Sequence, residues 1–84
     1  MSLEYRNIEL MFIEQLKLQF SQGYNPEKAA IFAHEFYLKY ANKLSDRLYE
    51  VVYSMMMMDA GSEFEMDEMK IKAMIKEKTG IVWH

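Results

Sequence analysis

Glycine and proline occur at only four positions in this chain, Gly23, Pro26, Gly61 and Gly80, and everything between them is free of helix breakers. Gly23 precedes Asn25-Pro26-Glu27. That order is a helix stop, then an N-cap residue, then a proline at the first helical position, where its missing N–H costs nothing. Gly61 precedes Ser62-Glu63-Phe64-Glu65, which has the form of a capping box. Gly80 follows Lys76-Glu77-Lys78-Thr79, a basic last turn that suits the negative end of a helix dipole. The punctuation predicts an all-α fold, a small antiparallel helical bundle of three long or four shorter helices in one domain over 1–84. The expected helices are about 3–22, 26–60 and 62–79, with a short extended tail over 81–84.

The middle segment allows two readings. As one helix, 26–60 would be about 50 Å long, more than a domain of this size needs. Its apolar stripe (Ala29, Ala33, Phe36, Tyr40, Leu44, Leu48, Val51, Met55, Met58) keeps its phase throughout, which favours continuity. Yet Ala41 to Arg47 is polar and low in helix formers. Ser45 can cap a new helix there, with Asp46 in its first turn, so the alternative is a break near 42–46. A broken segment gives a four-helix monomer. An unbroken one leaves an apolar stripe that only another chain could cover.

In the first helix Tyr5, Ile8, Phe12, Ile13, Leu16 and Phe20 share one side. Glu9 points into that stripe and is read as a carboxylate at its solvent end, near an Arg or Lys. In the last helix Phe64, Ile71, Met74 and Ile75 form one apolar edge, and Met66, Met69 and Ala73 a second. Ile81, Val82 and Trp83 are expected to fold back, because a free apolar tail would be a sticky liability.

Composition removes whole classes of chemistry. There is no cysteine, hence no disulfide, thiolate metal site or cysteine nucleophile. The glycines are accounted for as caps, which leaves no phosphate-cradling loop, and no serine lies in a nucleophile elbow. His34-Glu35 lacks the second histidine of a zinc-protease helix, and the residue three before His34 is Ile31 rather than the glutamate of a di-metal motif. The expectation is therefore no enzyme, no cofactor, no metal and no small-molecule substrate. Glu4, Arg6, Asn7 and Glu9 interrupt any N-terminal targeting run, and the uncharged run Val51–Met58 would span only about 12 Å as a helix. That reads as a cytoplasmic protein with no membrane partner.

What remains is an excess of methionine, nine in all, with four in a row from Met55 to Met58. Four consecutive side chains cover every side of a helix, so they cannot all enter one small core. Methionine-rich surfaces repack readily around partners. The expected function is a non-enzymatic protein–protein interaction or regulatory role, with another protein or a second copy as partner and a homodimer as the favoured state. The expected surface is Val51, Val52, Met55, Met56, Met58, Met66 and Met69, with Trp83 nearby. The alternative is a small nucleic-acid-binding regulator in which Lys39, Lys43 and Arg47, spaced four apart, line one helix face. Against it stand the net charge of −3 and the small apolar residues of Glu27-Lys28-Ala29-Ala30-Ile31-Phe32, where base-reading side chains would be needed.

Overall fold

The computed structural model describes residues 3–83. Its four α-helices are α1 (Leu3–Phe20), α2 (Pro26–Tyr40), α3 (Asp46–Met56) and α4 (Glu68–Thr79), with 3-10 turns at Ala41–Lys43, Met57–Ala60 and Ser62–Phe64. The described residues contain no strand.

Most helix ends follow from local chemistry. After α1, Gly23 takes a left-handed φ of 99° and its N–H donates to Phe20 O at 3.0 Å. The Asn25 side chain accepts from Lys28 N–H at 3.1 Å and so caps α2, with Pro26 in the first turn. Gly80, at φ 76°, ends α4 with its N–H on Lys76 O at 2.9 Å.

The segment 26–60 is broken. α2 stops at Tyr40, Ala41–Lys43 forms a 3-10 turn, and Leu44 and Ser45 are extended. Ser45 Oγ accepts from Leu48 N–H at 3.2 Å, which starts α3. The same hydroxyl donates to Glu9 Oε2 of α1 at 2.6 Å, so a distant helix holds the break in place.

The start of the last helix differs from the expectation. Ser62 does not cap it: Ser62–Phe64 is a single 3-10 turn and Glu65 is extended, at φ −68° and ψ 141°. The helix begins only at Glu68, capped by the Asp67 carboxylate, which accepts from Lys70 N–H at 2.7 Å. The cause is tertiary. The Tyr24 hydroxyl donates to Met66 O, and Met66 N–H donates to Met58 Sδ at 3.4 Å. Both bonds use backbone groups of Met66, and the helix restarts only beyond it.

Helix α3 packs against both α2 and α4. Its Leu48, Val51, Val52 and Met55 are at most 1% exposed, together with Phe12 and Leu16 of α1 and Ile71 and Ile75 of α4. Burying each such side chain contributes about 1.5–3 kcal/mol before ordering entropy is subtracted. Ala29, Ala30 and Ala33 are buried on α2, where their small size lets neighbouring backbone approach. The Phe12 ring meets the Phe36 ring nearly edge-on, 4.9 Å between centroids. The tail turns back in part: Ile81 packs against the core and Trp83 stacks on Phe20 at 5.1 Å, with Lys72 Nζ 5.0 Å from its ring centre, while Val82 stays exposed.

Candidate functional site

The methionine-rich surface expected from the sequence is divided by the fold. Val51, Val52 and Met55 are fully buried and Met58 is 4% exposed, so these four belong to the core and offer nothing to a partner. The reason is register: with the chain broken at Ser45, the stripe that an unbroken helix would have left open closes onto the chain's own helices. Met56 and Met66 are half-buried at the edge of that core, as is Trp83, and Met69 is 80% exposed on α4. Met58 also has a bonding role inside, since its sulfur accepts from Met66 N–H, with the Tyr24 hydroxyl oxygen 3.6 Å away.

A different surface takes its place. On α3 the residues one step off the buried stripe are Tyr49, Tyr53 and, just past the helix, Met57, each four apart. Tyr49 is 43% and Tyr53 48% exposed, and their rings lie 5.9 Å apart. Tyr37 of α2 extends the row, 6.1 Å from Tyr49. The three hydroxyls bond to no group among the described residues. Beyond Tyr53 the row opens into a groove of about 380 Å³ walled by Tyr53, Met57, Phe64 and Met66. Phe64 is 43% exposed because its turn stands outside α4 rather than within it. Two opposite charges, Glu63 and Lys70, also line the groove, and neither forms an ion pair among the described residues. The spacing of Tyr49, Tyr53 and Met57 was available in the sequence as a signal. The exposure of Phe64 was not, because it depends on where α4 starts.

The basic stripe of the nucleic-acid reading is taken apart by the same break. Lys39, Lys43 and Arg47 would align only on a continuous helix, and the helix ends at Tyr40. Lys39 lies over the Tyr40 ring at 5.5 Å, and Lys43 pairs with Glu4 at 3.6 Å. Arg47 turns inward to Glu9, with Nε to Oε2 at 2.6 Å and Nη2 to Oε1 at 3.0 Å.

Glu9 itself is wholly buried, not at the solvent end of the α1 stripe. Besides Arg47 and Ser45 it receives Arg6 Nη1 at 3.3 Å, and the same Arg6 nitrogen donates to Thr79 O at 3.1 Å. One carboxylate thus ties α1 to the α2–α3 junction, and through Arg6 to the end of α4. Burial pushes its carboxyl up, but the hydrogen bonds from Arg47, Ser45 and Arg6 outweigh burial and hold it below the usual carboxylate range. This is a structural centre. Its acceptor capacity is taken up by the protein's own donors.

A second hollow, about 220 Å³, is lined by Ala30, Ile31, His34, Glu35, Met56 and Asp59. Among the described residues no three His, Cys, Asp or Glu side chains are placed to hold a metal ion. No described helix is long and apolar enough to cross a membrane. No protein-family model, curated protein sequence or solved structure matches this chain.

Proposed function

We propose that the protein acts without catalysis, by binding another polypeptide through the tyrosine–methionine face of α3 and the adjoining groove. The observation that carries this reading is the pair of exposed rings Tyr49 and Tyr53 on α3, leading into the groove that Tyr53 shares with exposed Phe64. Exposed apolar area of this kind is costly to leave uncovered, and contiguous patches mark contact surfaces. Tyrosine brings large contact area for two side-chain torsions and keeps a hydroxyl for the partner's polar groups. Met57 and Met66 add a pliable wall that adjusts to the side chain inserted between them. A partner helix laying its apolar face along α3 would place one large residue in the groove.

The test is site-specific photo-crosslinking in the full chain. A benzophenone amino acid at Tyr53 should give an adduct with a polypeptide, whether foreign or a second copy. The same group at exposed Asn42, in the turn before the opposite end of α3, should not. Equal labelling from both positions, or none from Tyr53, Tyr49 and Phe64 alike, would refute the reading.

A further inference from the structure

We infer that the occupant of the Tyr53–Phe64 groove is a second copy of this chain, related by a twofold axis that pairs Glu63 of each protomer with Lys70 of the other. The inference rests on the protein-binding reading above and adds the identity of the partner. Its basis is the pair of charges in the groove. Glu63 and Lys70 line the same apolar hollow, they are opposite in sign, and neither is ion-paired among the described residues. A foreign partner would have to present a cation and an anion at matching positions. A second copy presents both by symmetry, because in an isologous interface residue i meets j and j meets i.

The chain carries a net charge of −3, but the two charged residues that line the groove are opposite in sign and cancel. The apolar walls of Tyr53, Met57, Phe64 and Met66 then face their equivalents across the axis. Contacts of this sort supply affinity through burial, while the charge pairs fix register and exclude misaligned encounters.

The experiment is sedimentation equilibrium of the full chain from low micromolar to near-millimolar concentration, with charge reversals. The wild type should show a reversible monomer–dimer equilibrium. Glu63→Lys alone places like charges together at two points of the interface, and so does Lys70→Glu. Each should weaken dimerisation by at least about tenfold. An equimolar mixture of these two variants should form the heterodimer, because both contacts become opposite in sign. The double variant Glu63→Lys/Lys70→Glu should dimerise as the wild type does. Far-UV circular dichroism checks that each variant keeps its helices, and the milder Glu63→Gln and Lys70→Met replace any that does not. These should weaken the dimer by a few-fold.

A wild type monomeric at every concentration overturns the inference. So does a dimer that ignores the single reversals, or a mixture that yields no heterodimer. A monomer that still crosslinks from Tyr53 to a different protein overturns this inference and leaves the broader reading standing. No adduct from any groove position removes both.

Discussion

In a Glu9→Gln variant the charge disappears from a site closed to solvent. Glu9 is 0% exposed and receives four hydrogen bonds, from Ser45 Oγ, Arg47 Nε, Arg47 Nη2 and Arg6 Nη1. Glutamine keeps the shape but has one acceptor oxygen, and its amide nitrogen can only donate. The Ser45 hydroxyl can rotate to accommodate an N–H, whereas the guanidinium N–H groups cannot become acceptors. In either amide orientation one Arg47 N–H therefore faces a donor, and every surviving bond loses its charge assistance. Charge-assisted bonds are worth about 1.5–3 kcal/mol each. The side chains of Arg6 and Arg47 are 40% and 33% exposed, so water recovers part of the loss. The net expected cost is about 2 kcal/mol, which for a domain of this size lowers Tm by ~10 °C. The assay is urea unfolding followed by far-UV circular dichroism, at neutral pH and again in acid. The folded-state carboxyl lies below its ordinary value, so its stabilisation is complete above the unfolded-state value of about 4.3 and is lost as pH falls through the folded one. Glutamine does not titrate, so wild type and variant should converge in acid. A variant as stable as wild type at neutral pH, or a gap that does not narrow in acid, would refute the ionised, fully bonded Glu9.

The two kinds of methionine should separate by stability. Met55→Ala empties a fully buried position and should cost about 2–5 kcal/mol, whereas Met69→Ala, at an 80% exposed position, should stay within about 0.5 kcal/mol, both read from urea midpoints. Ser45→Ala should cost more than the about 1 kcal/mol of an ordinary N-cap, because the hydroxyl also serves Glu9. Asp67→Ala, which removes the cap bond to Lys70 N–H, is the reference, and equal losses at the two caps would count against the α1–α3 link.

Several elements were legible in the sequence because their causes are local. Asn25-Pro26, Gly23 and Gly80 start or stop helices through backbone groups within four residues, so the order of residues alone determined those ends and the all-α class. Ser45 was equally readable as a cap. What could not be read was whether the chain would use it, since the apolar stripe from Ala29 to Met58 runs in phase across the site. The same balance hid the true start of α4. Ser62 and Asp67 are both good caps, and nothing within the segment ranks one above the other.

Those choices were made by residues far along the chain. Glu9, 36 positions from Ser45 and 38 from Arg47, bonds both and holds the break that turns one long segment into α2 and α3. Tyr24, 42 positions from Met66, bonds the backbone that delays α4 and leaves Phe64 outside it. Each choice then decided the site: the break sent Val51, Val52, Met55 and Met58 inward and split the basic stripe, and the delay brought Phe64 to the groove beside Tyr53. Local alternatives here differ by about 1 kcal/mol, the scale of a single cap. One buried, charge-assisted contact outweighs that difference. The sequence by itself determined where helices can begin and end. The tertiary structure decided which of those points were used, because the deciding bonds join residues that only the folded chain brings together.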